Sequence, residues 1–111
     1  MNKVSQARVV LVTCGTLTEG RRIALKVLKK RLVACVNIVL SPVVSFYIWK
    51  GKIERAREYL LVIKTTAKRL ADLQREVERL HSYEVPEFLV LPASSGSPHY
   101  LSWLTESTKG N

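Results

Sequence analysis

The chain has 111 residues, of which 47% are apolar and 24% are charged. This length leaves room for one domain around one core and excludes a two-domain enzyme, and the composition excludes a disordered or fibrous protein. Lysine and arginine number 18 against nine acidic residues, giving a net charge of +9. This excess raises the question of a polyanionic partner, such as RNA, DNA or an acidic membrane.

Several features of the sequence indicate a cytoplasmic protein without a membrane span. The apolar runs at residues 9–12 and 59–63 are far shorter than the roughly 18 residues that a transmembrane helix needs. Arg8 stands where a secretory signal would require its apolar run. Cys14 and Cys35 lie in apolar surroundings without CxxC spacing, so we expect reduced, buried thiols.

The first two elements are a strand and a helix. Residues 8–14 form a short apolar run rich in β-branched side chains, which predicts a buried strand. Thr16 and Glu19 have the spacing of a capping box, and apolar residues then recur at helical intervals. The pattern predicts a helix over about residues 17–32.

A long hairpin is predicted next. Residues 33–49 and 53–65 are two extended stretches, joined by a tight reversal at residues 50–52. Pro42 cannot donate to a strand ladder, so it marks a bend or an edge within the first stretch. Both stretches are unusually long for a protein of this size.

The last part of the chain predicts a helix, a strand and a terminal helix. Leu70, Leu73, Val77 and Leu80 form one apolar stripe, which indicates a helix over about 66–80. Residues 87–91 form an apolar strand that Pro92 stops, and Ser97 followed by Pro98 opens a short helix. We therefore predict a fourth strand at residues 87–91 and a short terminal helix that begins at Pro98.

The order of elements predicts an α+β protein with the ferredoxin-like βαββαβ arrangement, in which two helices cover one face of an antiparallel sheet. Strands covered on one face should alternate apolar and polar, yet residues 9–12, 59–63 and 88–91 are apolar throughout. The second face must therefore be covered, and we expect self-association. The hairpin carries aromatic residues near its tip and would reach a neighbouring subunit, unless it folds over its own sheet.

The densest polar cluster is residues 81–87, between the second helix and the fourth strand. Imidazole and carboxylate groups suit borderline divalent ions, which makes His81, Glu84 and Glu87 candidate metal ligands, and Cys14 would add sulfur. The alternative is that His81 caps its helix and that Cys14 packs in the core. No motif of a known catalytic class is present in the sequence.

Nucleic-acid binding is a second hypothesis, because ferredoxin-like domains include RNA-recognition modules. The first strand has no aromatic residue and the third has only Tyr59, so the base-stacking platform is missing. The basic segment at residues 21–31 is interpreted as a solvated helix face. An acylphosphatase is disfavoured because residues 14–19 contain an acid and no arginine.

Five segments recur in the same order in one known family. They are Leu-Val-Ala-Cys-Val-Asn at 32–37, Tyr-Ile-Trp-Lys-Gly-Lys-Ile-Glu at 47–54, Ile-Lys-Thr at 63–65, His-Ser-Tyr-Glu-Val-Pro-Glu at 81–87 and Tyr-Leu-Ser-Trp-Leu at 100–104. Over about residues 8–107, the sequence resembles the divalent-cation tolerance (CutA) family. The resemblance implies a ferredoxin-like subunit, a trimer built by strand exchange between hairpins, and an architecture similar to the PII signalling proteins.

The resemblance also implies tolerance of divalent metals, copper binding in bacterial members, and no catalysis. The copper candidates of the family are a first-strand cysteine and paired histidines. In this sequence His81 matches one histidine and Leu80 fills the position of the other. Val12 stands at the cysteine position, and Cys14 lies two residues further on, which keeps it on the same face of the strand.

We therefore expect one domain over residues 1–111, with an ordered core at about 8–107, that forms a cytoplasmic homotrimer and is not an enzyme. It would bind Cu(II), another divalent cation or a small ligand in clefts between subunits. The expected cleft residues are Tyr47, Trp49, Lys64, His81, Tyr83, Glu84 and Glu87. The alternatives are a nucleic-acid-binding protein that uses its basic surface and a structural trimer that anchors a partner protein.

Overall fold

The structure is a computed structural model that describes residues 6–110. Over these residues the chain forms five strands and three α-helices. In chain order they are β1 (Ala7–Cys14), α1 (Leu17–Lys29), β2 (Cys35–Ile38), β3 (Val43–Trp49), β4 (Lys52–Thr66), a short 3-10 turn (Ala67–Arg69), α2 (Leu70–Leu80), β5 (Leu89–Pro92) and α3 (Pro98–Ser107). None of the helices in this part of the chain is long and apolar enough to span a membrane.

The strands form one antiparallel sheet in the order β2-β4-β1-β5, and β3 pairs with the outer half of β4. This topology confirms the predicted ferredoxin-like α+β fold. The extended stretch before the reversal is two strands rather than one, separated around Pro42. Both pair with β4, so the predicted long hairpin is confirmed.

The core lies between the sheet and the helices α1 and α2. Alternate side chains of β1 and β4 point towards these helices, because successive residues of a strand face opposite sides of the sheet. The core consists chiefly of the fully buried side chains Val10, Val12, Cys14, Ile23, Val27, Leu61, Ile63, Leu73 and Val77. Burying one large aliphatic side chain stabilises a protein by about 1.5–3 kcal/mol, so this layer supplies most of the apolar burial.

The other face of the sheet, called the open face below, is covered by α3 at one end only. There Leu101 and Leu104 pack against Ala7 and Ala34. The strand register puts the remaining side chains of this face in one apolar area that is half-buried or exposed, comprising Val9, Leu11, Leu60, Val62, Leu89 and Leu91. One subunit therefore leaves a large part of the open face uncovered, as the apolar strands predicted.

The hairpin of β3 with residues 52–58 of β4, called the arm below, does not fold over its own sheet. Phe46, Ile48 and Ile53 are 70%, 74% and 80% exposed. Lys50 and Gly51 form the reversal with φ of +51° and +80°, and two successive positive values of φ are typical of the hairpin turn that matches strand twist. The alternative in which the arm covers its own subunit is wrong for this structure.

Three element boundaries differ from the predictions. The helix predicted over 17–32 ends at Lys29, because Arg31 adopts a left-handed φ of +57° and Leu32 N–H donates to the Val27 carbonyl at 3.0 Å. This is a Schellman end, and the glycine that usually signals such an end in a sequence is replaced here by Arg31. α2 begins only after the 3-10 turn. β5 includes Pro92, which an edge strand tolerates.

An ion-pair network at Glu76 joins the two helices on the same side of the sheet. The buried Glu76 carboxylate accepts hydrogen bonds from Arg79 Nε at 2.6 Å and contacts Lys30 Nζ at 2.6 Å. The hydrogen bonds from Arg79, and then from Lys30, lower the pKa of Glu76 to about 2. Lys30 follows α1 and Arg79 belongs to α2, so the network links the two helices.

We expect Glu76 to contribute to the loss of stability in acid. Its pKa falls from 4.5 to about 2 on folding, so its contribution is complete above about pH 4.5 and is lost as the pH falls towards 2. Glu76→Gln should lower the free energy of unfolding near neutral pH and flatten its decline between those two pH values. Urea titrations across that range measure both effects.

The control is Asp72→Asn, which removes an exposed pair with Arg75 on the same helix. Surface pairs of this kind contribute little, so the control should keep the wild-type pH dependence. If Glu76→Gln loses stability in acid as steeply as the wild type, the role given to this network is wrong.

Candidate functional site

The segment between α2 and β5 is held against the end of β1 by His81. The His81 ring is buried, and its Nε2 lies 2.7 Å from the Thr13 carbonyl oxygen. The Tyr83 backbone N–H donates to His81 Nδ1 at 3.1 Å. Because a carbonyl only accepts and a backbone amide only donates, the ring is the Nε2–H tautomer. The backbone N–H of His81 donates to the Val77 carbonyl and so caps α2, as the alternative interpretation expected. Both ring nitrogens are engaged by hydrogen bonds, to Thr13 of β1 and to the Tyr83 backbone.

Glu19 ties the start of α1 to the same segment. Thr16 Oγ1 accepts from the Glu19 N–H at 3.1 Å, which confirms half of the predicted capping box. The Glu19 carboxylate does not return to Thr16 but accepts from the Ser82 N–H at 2.8 Å. Arg22 of the same helix donates to the Leu80 carbonyl at 2.9 Å. The N-terminal turn of α1 and the C-terminal end of α2 are therefore joined by hydrogen bonds.

Cys14, Glu19 and His81 form the one group of three potential metal-ligating side chains in the described part of the chain. Their ligand atoms lie within 4.8 Å of one another. Burial, followed by the charges of Glu19 and Glu58, raises the pKa of the Cys14 thiol to about 12. A metal bound here would have to displace a hydrogen bond of His81 and deprotonate Cys14. The group is called the brace below, because hydrogen bonds of His81 and Glu19 hold β1, α1 and the segment after α2 together, and neither ring nitrogen of His81 is free to bind a metal.

A cleft with a volume of about 730 Å³ lies beside this brace, between the arm and the segment that follows His81. One part of its wall is aromatic and one part is acidic. The aromatic residues are Phe46, Tyr47, Trp49 and Tyr83, and the acidic residues are Glu58, Glu84 and Glu87. A cavity of this size and mixed character is typical of small-molecule sites.

Glu58 is the cleft residue that sequence reasoning missed. It is only 7% exposed, and its Oε2 accepts from the Tyr83 hydroxyl at 2.8 Å. No lysine or arginine among residues 6–110 forms an ion pair with it. Glu58 ends the charged sequence Glu-Arg-Ala-Arg-Glu at 54–58, which gives no signal of burial. The alternation of side chains along β4 continues into the arm and places Glu58 on the cleft side.

The negative charge of Glu58 affects its neighbours. Burial raises the pKa of Tyr83, and the hydrogen bond to Glu58 and the charge of Glu58 raise it further. Burial also raises the pKa of Glu87, with a second contribution from the charge of Glu58. No lysine or arginine among the described residues lines the cleft, and the cation described nearest to its aromatic wall is Lys50, whose Nζ lies 6.0 Å from the centroid of the Trp49 ring.

The structure brings together most of the predicted cleft residues. Those that line the cavity are Tyr47, Trp49, Tyr83, Glu84 and Glu87. His81 stands behind them, with its ring centroid 4.6 Å from that of Tyr83. Lys64 lies elsewhere on the open face, where it donates to Asn37 Oδ1. The four predicted metal ligands occupy two places: Cys14 and His81 belong to the brace, whereas Glu84 and Glu87 line the cleft.

The fold and the cleft define a ferredoxin-like protein with a ligand-sized site at the base of a projecting hairpin. Residues 8–107 match the model of the CutA1 divalent ion tolerance protein family. Over 100 residues the chain is 38% identical to the divalent-cation tolerance protein CutA of Archaeoglobus fulgidus, and 42% identical to that of Thermus thermophilus; each match covers 90% of this chain and 96% of the relative.

The solved structures agree with the sequence comparison. The crystal structure of CutA1 from Oryza sativa matches with a TM-score of 0.91 at 39% identity, covering 97% of this chain and 98% of that one. The chain therefore belongs to the CutA1 divalent ion tolerance protein family. The resemblance inferred from the sequence segments is confirmed.

We expect Cys14 to be chemically inert in the folded protein. It is fully buried, and its pKa of about 12 leaves almost no thiolate at neutral pH. In a Cys35→Ser background, which leaves Cys14 as the one thiol of the chain, an aromatic disulfide reagent should react at least about 100-fold more slowly with native than with urea-unfolded protein. Equal rates in the two states would contradict the described environment of Cys14.

Proposed function

We propose that the protein is a homotrimeric binding protein that acts in divalent-cation tolerance, with ligand clefts next to its subunit boundaries and no catalytic step. The observation that carries the proposal is the open face, an apolar surface that a single subunit leaves largely uncovered. Family membership supports the role in divalent-cation tolerance. We further propose a cytoplasmic location, supported by two free cysteines, which a reducing compartment preserves.

The open face favours association because water is a poor solvent for it. Each Å² of apolar surface removed from water contributes about 25 cal/mol, and monomers seldom expose a continuous apolar area of this kind. Leu89 and Leu91 of β5 are 56% and 43% exposed, although they lie beside Val9 and Leu11 in the same sheet face. Neighbouring copies of the same chain are the partner that would cover this area.

The sheet edges favour the same arrangement. β5 and β3 each have one edge that pairs with no other described strand, and an unpaired edge is a template for another strand. The seven residues of β3 span about 23 Å, enough for the arm to reach across a neighbouring subunit. A closed ring would pair these edges without leaving one free, and the CutA resemblance implies three copies.

The divalent cation would be bound as cargo, and Cu(II) is the first ion to test. The candidate ligands fall into two places, with Cys14 and His81 in the brace and Glu84 and Glu87 in the cleft. Binding at the brace would require the segment after His81 to move, because the ring nitrogens are engaged by Thr13 and Tyr83. Binding in the cleft would require no such opening, but the cleft carboxylates would have to move closer together to bind one ion, because they do not form a set of three ligand atoms within 4.8 Å among the described residues.

We expect one charge on the open face to weaken the assembly. Leu89 is 56% exposed in a single subunit, so Leu89→Glu should leave the subunit folded while placing a carboxylate in the proposed interface. Light scattering at micromolar concentration should show a mass below that of three chains. The circular dichroism spectrum should be that of the wild type.

Leu25→Glu is the matched control, because Leu25 is 66% exposed on α1, away from the open face. It should keep the mass of three chains. The proposed interface is wrong if Leu89→Glu assembles as well as Leu25→Glu does.

A further inference from the structure

The cleft carries a charge opposite to that of the whole protein. The chain has a net charge of +9, yet the described residues that line the cavity include three carboxylates and neither lysine nor arginine. A ligand is therefore drawn to this site by local charge rather than by the overall field. Local negative charge selects a cation and disfavours an anion as the ligand of the cleft.

The burial of Glu58 gives a second indication of a cationic ligand. A carboxylate that is nine-tenths buried is normally paired with a cation or fully hydrogen-bonded, since burying an unpaired charge costs several kcal/mol. Glu58 receives one hydrogen bond, from the neutral Tyr83 hydroxyl, and no ion pair from the described residues. It lines the cavity, so a ligand in the cleft is in position to neutralise it.

The geometry of the acidic groups separates an organic cation from a metal ion. A metal ion binds oxygen ligands at about 2.0–2.6 Å, so its ligand atoms must lie close together. In the described part of the chain, one set of three potential metal-ligating atoms lies within 4.8 Å of one another, and it is the sulfur, oxygen and nitrogen atoms of the brace. The carboxylates of Glu58, Glu84 and Glu87 do not form such a set. A longer cation with several N–H donors can contact carboxylates that one ion cannot bridge.

The aromatic wall favours the same class of ligand. Trp49, Tyr47 and Tyr83 line the cavity together with Glu58. Ring faces attract ammonium and guanidinium groups and also pack against the aliphatic chain that carries them. A combination of rings and carboxylates around about 730 Å³ suits a molecule of several carbon atoms with a positively charged nitrogen group.

We propose that the cleft binds an organic cation, an aliphatic amine or guanidinium compound, with its charged group on Glu58 and its chain against Trp49 and Tyr47. This deepens the proposed function by naming a ligand class for the cleft, and it rests on the cleft of that proposal. The Tyr83 hydroxyl orients Glu58 and leaves its other oxygen for the ligand.

The test uses agmatine, which carries a guanidinium group at one end and an ammonium group at the other. Calorimetry in an amine-free buffer should show binding to the wild-type protein. In a Trp103→Phe background, Trp49 is the one tryptophan left, so a change in its fluorescence on agmatine addition reports on the cleft. Glutarate, a dicarboxylate of similar length, should not bind.

Glu58→Gln should weaken agmatine binding at least about tenfold, because a hydrogen bond to a charged group contributes about 1.5–3 kcal/mol. Glutamine keeps an oxygen that accepts from the Tyr83 hydroxyl, so the variant should fold. Glu78→Gln removes the same charge from the exposed surface of α2 and should bind agmatine as the wild type does.

Three results would overturn the proposal: no binding of agmatine, equal binding to wild type and Glu58→Gln, or loss of the assembled mass in Glu58→Gln. The last would mean that a basic side chain of a neighbouring copy neutralises Glu58. If agmatine fails while the wild type is trimeric and binds Cu(II), only the ligand class is refuted. If the protein is a single chain that nevertheless binds agmatine at Glu58, the assembly is refuted and the ligand class stands.

Discussion

One-sided burial of the sheet is the constraint on which the rest of the structure depends. Two helices cover most of one face, and a ten-residue helix covers one end of the other. Because β1 and β4 contribute apolar side chains to both faces, the same strands that form the core also create the uncovered area. A single subunit can bury one face well, but it has too few elements to bury the second.

β4 belongs both to the sheet and to the wall of the cleft. Its inner half pairs with β1 and β2, and its outer half pairs with β3 to form the arm. The alternation of its side chains sends Leu61 and Ile63 to the helices and Glu58 to the opposite side. A shift of one residue in this register would move Glu58 out of the cleft and bring its neighbour Arg57 or Tyr59 into it, depending on the direction of the shift. The core and the candidate site therefore depend on the same strand pairing.

The order of elements, the topology and the arm could be predicted because each rests on a periodicity or a turn signal in the sequence. The end of α1 could not, since Arg31 occupies a position at which glycine is the usual signal. The partner of Glu19 lies 63 residues away at Ser82, a distance at which a local motif gives no information. The burial of Glu58 likewise depends on packing between the arm and the segment after His81.

The candidate site divides in the same way. The resemblance pointed to Tyr47, Trp49, Tyr83, Glu84 and Glu87, and these side chains do share one cavity. It also pointed to Lys64, which lies six residues from Glu58 on β4, or about 20 Å along an extended strand. The sequence motifs therefore identified residues that lie near one another. Their division into a buried brace and an open cleft could be seen only in the folded structure.

Native mass spectrometry of the wild-type protein at micromolar concentration tests the central claim most directly, because it counts the copies that cover the open face. The account predicts one dominant species containing three chains, with little single chain present. A folded single chain as the dominant species would show that the open face is stable in water and would contradict the account.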